Sequence, residues 1–190
     1  MKDVVVIGGP NGAGKTTAAR ALLPDVLGIR EFVNADEIAR GLSPFNEAAV
    51  ALTAGRLMIE RMRLLVQNGE SFVFETTCAG RGHIELLRRC RDDGWRVTLL
   101  FLWLPSPRLA IERVARRVRE GGHDIPASVI TRRYWKGIAN MRHLYLPLAD
   151  VAAIYDNSGP TRVLVADREV GHPLRIHDPL RWQLIQDQPS

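Results

Sequence analysis

At 190 residues, 46% hydrophobic and 25% charged, the chain has the length and composition of one globular domain with a sizeable core, and no apolar run approaches the roughly 20 residues that cross a bilayer. Its two cysteines, Cys78 and Cys90, have neither metal-ligand spacing nor a disulfide framework, so they read as inert small residues in a reducing cytoplasm. The net charge of +5 is uneven: nine basic and three acidic residues fall between Pro105 and Tyr145, so that segment alone carries +6 and suits a multiply phosphorylated small ligand.

The first predicted element is the β-branched run Asp3–Ile7, suited to a buried parallel strand and starting too early to leave room for a signal peptide. It runs into Gly9-Pro10-Asn11-Gly12-Ala13-Gly14-Lys15-Thr16, the G-x-x-x-x-G-K-T phosphate-binding loop, and then a helix over Thr17–Leu23. A turn over Pro24–Gly28 leads to a short strand, Glu31–Val33. Asn34 is placed to cap a helix that ends near Gly41. A long helix follows over Asn46–Asn68, with Leu52, Leu57, Ile59, Met62 and Leu65 broadly at helical spacing and Asn68-Gly69 as its stop.

Ser71–Glu75 is the next strand, Ile84–Arg91 a helix, and Trp95–Leu104 an apolar, central strand. Ser106 caps a helix with Pro107 at its first position, running to about Glu120 with Ile111, Val114, Ala115 and Val118 as its apolar face. A loop from Gly121 to Pro126 separates it from a helix over Ala127–Leu144, in which Tyr134 and Trp135 read as packing residues. Val151–Tyr155 and Arg162–Ala166 are the last strands, and Pro179–Gln186 is a short amphipathic helix. This alternation predicts an α/β fold: a doubly wound parallel sheet of the P-loop NTPase type with a helical lid. The expected organisation is one domain over residues 1–190, the lid at about 106–144 and a C-terminal extension at about 160–190.

Ligands in such sheets bind beyond the carboxyl ends of the strands. There the loop's backbone N–H groups and the helix N-terminus would cradle the phosphates of ATP, with Gly9 to Thr16 and Thr17 as the binding stretch. Lys15 would reach the β- and γ-phosphates, and the Thr16 hydroxyl would ligate magnesium. Asp36, at the end of the second strand, is placed to take a proton from an acceptor hydroxyl or to serve the metal. Glu75 ends an apolar strand where an acidic metal partner belongs, with Thr76 and Thr77 offering hydroxyls beside it. Arg113, Arg116, Arg117, Arg119, Arg132 and Arg133 flank Gly121-Gly122, so they could close over the phosphates as a lid on a glycine hinge. His123 in that loop is a candidate substrate contact.

These four motifs, in this order over about residues 3 to 158, resemble the zeta-toxin-like P-loop kinases, near a short bacterial branch of predicted kinases or ABC-type ATPases. The motifs are the loop, Asn34-Ala35-Asp36-Glu37, Glu75-Thr76-Thr77, and the arginine-rich lid with Gly121-Gly122-His123. The resemblance implies phosphoryl transfer from ATP with Mg2+ to a small-molecule hydroxyl; in zeta toxins that is the 3′-hydroxyl of UDP-N-acetylglucosamine. It further implies Lys15, Asp36, Arg117 and Arg133 as the catalytic set, Glu75 and Thr77 as sugar contacts, and Asn157 beside the adenine. An antitoxin protein that blocks the ATP site is the expected partner. The chain departs from the family pattern at Thr76, where glycine is usual, and at Ala79, where a substrate-binding arginine is usual; Arg81 is the nearby substitute.

Two alternatives stay open on the residues. One is an antibiotic- or metabolite-phosphorylating kinase resembling chloramphenicol phosphotransferase; the other is an ATPase switch that acts through a protein partner. The chain lacks the Leu-Ser-Gly-Gly-Gln signature of ABC ATPases and the Asn-Lys-x-Asp guanine reader of GTPases. A nucleic-acid-end kinase is permitted by the basic segment, but no basic–aromatic interleaving supports it. No segment reads as membrane-bound.

Overall fold

The computed structural model describes residues 1–22, 28–122 and 124–189. The expected turn at Pro24–Gly28 therefore lies, apart from Gly28, outside the described residues, as do Leu23 at the end of the first helix and the candidate contact His123.

A seven-stranded sheet has the order β2-β3-β1-β4-β5-β6-β7. β1 (Asp3–Gly8) lies between β3 (Phe72–Thr76) and β4 (Arg96–Trp103), with β2 (Glu31–Val33) beyond β3 and β5 (Val151–Asp156) beyond β4. These five strands are parallel. β6 (Val163–Arg168) and β7 (Arg175–Ile176) then run antiparallel to their neighbours, so the sheet is not parallel throughout as the alternation predicts. β7 was invisible as a pattern. It is two residues long and is prolonged only by the His177 and Asp178 amides, which donate to the Val165 carbonyl.

Both faces of the sheet are buried. Val4, Val6, Phe72 and Phe74 face the larger core cluster, and Val5, Ile7 and Val73 face a smaller one beside Ala19 and Ile29. This is why β1 reads as continuous β-branched residues rather than an alternation. The helices are α1 (Lys15–Leu22), α2 (Ala35–Leu42), α3 (Glu47–Asn68), α4 (Ile84–Asp92), α5 (Pro107–Arg119) and α6 (Ala127–Asn140). After α6 come a π-helical turn, Met141–Tyr145, and α7 (Leu146–Leu148); α8 (Pro179–Gln186) lies near the end of the chain.

Two apolar faces differ from their sequence pattern. α3 buries Ala54, Met58, Met62 and Leu65, whereas Leu52 and Leu57 are exposed. α5 buries Ala110 and Val114 and leaves Ala115 exposed. In both, the fully buried residues keep helical i, i+3, i+4 spacing, and apolar neighbours such as Val66, Leu109, Ile111 and Val118 pack half-buried at the margins of that stripe.

Candidate active site

The phosphate-binding loop joins β1 to α1 at the carboxyl edge of the sheet. Gly9 has φ +143°, and a Cβ there would stand 2.3 Å from the Leu102 carbonyl oxygen, so only glycine lets the loop leave the strand this close to β4. The loop is tied from outside by groups far along the chain. Asn157 Nδ2 donates to the Ala13 carbonyl at 2.7 Å. Arg113 donates to the carbonyls of Asn157 (2.8 Å), Ser158 (2.7 Å) and Gly12 (3.5 Å). Arg113, counted among the swinging lid arginines on sequence grounds, is thus a staple between α5, the loop and the end of β5.

That end of β5 is itself fixed. Asp156 is buried and accepts from the Ser158 amide (2.8 Å) and from Arg181 Nε of α8 (2.7 Å). Arg181 also pairs with Asp178, the cap of α8. The C-terminal helix therefore braces the nucleotide edge of the sheet.

Lys15 is buried; its ammonium donates to the Pro10 carbonyl at 2.9 Å and lies 3.7 Å from Glu75 Oε1. The strand register that pairs Ile7 with Glu75 brings this carboxylate beside the loop. Glu75 Oε2 accepts from the Thr16 hydroxyl (2.8 Å) and from Asn34 Nδ2 (2.9 Å). Asn34 is spent at both ends: its Oδ1 caps α2 by accepting from the Asp36 and Glu37 amides at 2.8 and 3.4 Å. One carboxamide thus fixes Glu75 and the start of the helix that carries Asp36.

Asp36, Glu75, Lys15 and Asn11 border a cavity of about 660 Å3, walled on one side by Leu52, Arg56, Met58 and Ile59 of α3 and on the other by Arg132, Arg133 and Lys136 of α6. Thr76, Thr77, Ala79, Gly80 and His83 complete it. Among the described residues, none of the side chains of Arg56, Arg132, Arg133 and Lys136 has an ion-pair partner, and the cavity's carboxylates are Asp36 and the already engaged Glu75. The cavity therefore carries an excess of donors and positive charge.

Of the residues expected on sequence grounds, the fold brings Lys15, Asp36, Glu75, Thr77 and Arg133 to one cavity. Arg81 is exposed and does not line it, and neither does Arg117. The Arg117 carbonyl instead accepts from the Gly122 amide, and its side chain packs where a Gly122 Cβ would stand. Arg56 and Lys136 carry no motif and were not foreseen. For Lys136 the available signal was its i+4 spacing from Arg132; for Arg56 there was none, because its place depends on how α3 crosses the sheet.

The floor of the cavity is tied to the helix behind it by hydrogen bonds. Asn140 donates to the Cys78 and Ala79 carbonyls (2.8 and 3.2 Å), and Tyr145 donates to the Gly80 carbonyl (3.1 Å). The Tyr145 hydroxyl lies 3.5 Å from His83 Nδ1. Burial pulls the His83 imidazole down to about 4, so it is neutral, and pushes the thiols of Cys78 and Cys90 up to about 12 and about 11, which leaves both protonated and unreactive.

The fit of the site to magnesium is chemical. Thr16 and Glu75 set a hydroxyl and a carboxylate oxygen side by side, and this hard cation takes few protein ligands beyond phosphates and water. No group of three or more His, Cys, Asp or Glu that could hold a metal alone is present among the described residues. No helix is long and apolar enough to cross a membrane among them either.

Residues 4–134 match a family model described as an AAA domain. An uncharacterized protein of Haemophilus influenzae is 28% identical over 126 residues, covering 66% of this chain and 88% of its own. Among solved structures, one from the PezAT chromosomal toxin-antitoxin system of Streptococcus pneumoniae aligns with a TM-score of 0.69 at 17% identity, covering all of this chain and 80% of its own. The AvrRxo1-ORF1:-ORF2 complex with ATP aligns with a TM-score of 0.79 at 18% identity; this chain is covered fully and spans 65% of that one, just under two thirds. At these identities the structural likenesses establish the fold, that of a P-loop NTPase.

Proposed function

The chain belongs to the AAA domain family, and from that premise we propose that it is an ATP-dependent phosphotransferase that moves the γ-phosphoryl group to a hydroxyl of a small anionic molecule. A nucleotide sugar of the UDP-N-acetylglucosamine kind is the first acceptor to test. The observation that carries this reading is the cavity itself: about 660 Å3 opening beside the phosphate loop, with Asp36 at its border and Arg56, Arg132, Arg133 and Lys136 in its walls, none of them with an ion-pair partner among the described residues. An ATPase that works as a switch needs room for a water molecule, not for a second substrate.

In this reading the acceptor oxygen bonds to the γ-phosphorus while the bond to the β–γ bridging oxygen breaks, and that bond's electron pair leaves on ADP. Asp36 takes the acceptor's proton. Lys15 and Arg133 face the phosphoryl group in flight, and Arg56, Arg132 and Lys136 hold the acceptor's own negative charge. Thr16 and Glu75 would hold a magnesium ion, whose charge offsets that of the phosphates. Asn157 braces the loop through the Ala13 carbonyl, and its place beside the adenine remains part of the proposal. A protein partner of the antitoxin kind belongs to the proposal, because the PezAT likeness is to a toxin-antitoxin system; a cytoplasmic location does too.

Asp36→Asn tests the assignment. Transfer should fall by about 10² to 10⁴ while ATP affinity is kept, measured by product formation and by calorimetric titration. Transfer at the wild-type rate would remove Asp36 as the base.

A further inference from the structure

One side chain of the phosphate loop is unaccounted for. Asn11 is 6% exposed and lines the acceptor cavity, and its carboxamide oxygen is buried without a hydrogen-bond partner among the described residues. Buried polar atoms are almost always paired, so an orphan at a ligand site marks a contact made by the ligand. Gln188 Oε1 is also buried with no partner among the described residues, and Trp103 Nε1 has no well-formed bond there, but both belong to an interior cluster around Tyr134, whose hydroxyl accepts from Gln188 Nε2 at 3.1 Å.

The groups around Asn11 are already engaged. The Pro10 carbonyl takes Lys15 and the Ala13 amide, the Ala13 carbonyl takes Asn157, and Asn34 is used at both ends. Lysine and arginine in the cavity can only donate, and ionised aspartate and glutamate only accept. A carboxamide does both, and no hydrogen bond among the described residues fixes which end of this one faces which way.

We propose that Asn11 reads the γ-phosphoryl group: its Nδ2 donates to a γ-oxygen of bound ATP, and its Oδ1 accepts from the incoming hydroxyl, holding the two in line. The second contact rests on the phosphotransferase reading; the first needs only ATP. Asn11 gives up no proton and forms no covalent bond.

The test is calorimetric binding of ADP and of an imido-bridged ATP analogue, with magnesium, to the wild type, Asn11→Ala and Asn11→Asp. The preference for the analogue over ADP should fall about tenfold in Asn11→Ala and further in Asn11→Asp, whose carboxylate repels the γ-phosphoryl. A structural role predicts the reverse order, because aspartate is the closer shape. An unchanged preference, or Asp milder than Ala, overturns the proposal. On the unmodified chain, the Asn11 side-chain amide resonances should shift with the analogue and not with ADP; equal shifts overturn it independently of whether the variants fold. A wild type with an Asn11-dependent preference that phosphorylates no acceptor would uphold the γ-phosphate contact and remove the phosphotransferase reading instead.

Discussion

Glu75 accepts from Thr16 and Asn34 and faces the Lys15 ammonium, with the side chains of the ion pair only 9% and 7% exposed. Removing one partner of a buried pair strands the other charge, which costs about 3–5 kcal/mol. Glu75→Ala should therefore lower the unfolding free energy by about that amount in denaturant titrations; a loss under about 1 kcal/mol would mean that Lys15 reaches water unaided. His83 gives a prediction in pH. Its folded value of about 4 lies below the ordinary 6.5, so between these values the unfolded chain binds a proton that the folded chain refuses. Its contribution to stability is therefore full above pH 6.5 and declines as pH falls toward 4, by on the order of 2–3 kcal/mol. His83→Phe should melt with a flatter pH dependence across that window, and an unchanged slope would place the acid sensitivity elsewhere.

At the scale of elements, α6 does two jobs on two faces. One face sets Arg132, Arg133 and Lys136 into the cavity, while Gly137 lets the helix close on the loop after β3. A Cβ at Gly137 would stand 2.3 Å from the Thr77 carbonyl oxygen, so Gly137→Ala must lift the helix. The expected result is a loss of about 1–3 kcal/mol in stability and a raised KM for the acceptor, because the cations move with the helix. A variant with wild-type melting and KM would show that the contact yields freely. α6 was legible as a helix from its composition, but its departure into a π-helical turn at Met141–Tyr145 was not. Within that turn Tyr145 reaches Gly80 across the fold, a contact 65 residues distant in sequence. The capping of α2 by Asn34 and of α5 by Ser106 was legible because each cap bonds an amide two or three residues on.

For the whole molecule, the sheet gathers the carboxyl ends of β1, β2, β3 and β5 along one edge, and the features that carry chemistry lie there: the loop, Asp36, Glu75 and Asp156-Asn157. Sequence spacing foretold this much, since each is a short pattern at the end of an apolar run. It could not foretell which cations face the cavity. Arg56, Arg81, Arg117 and Lys136 are all ordinary exposed helix or loop residues by composition, and only the crossing of α3 and α6 over the sheet separates those that line it from those that do not. The antiparallel turn of β6 and β7 was hidden for a related reason: strand direction is fixed by the length and path of the connection, not by residue type.

The central claim is that the cavity receives a second substrate. It is tested most directly by incubating the protein with ATP and magnesium, alone and with a panel of nucleotide sugars and other anionic hydroxyl compounds, and weighing the products by mass spectrometry. The account predicts that one compound gains a single phosphate as ATP becomes ADP, and that Asp36→Asn fails to make it. Hydrolysis of ATP at the same rate with every compound, and no compound gaining mass, would contradict it.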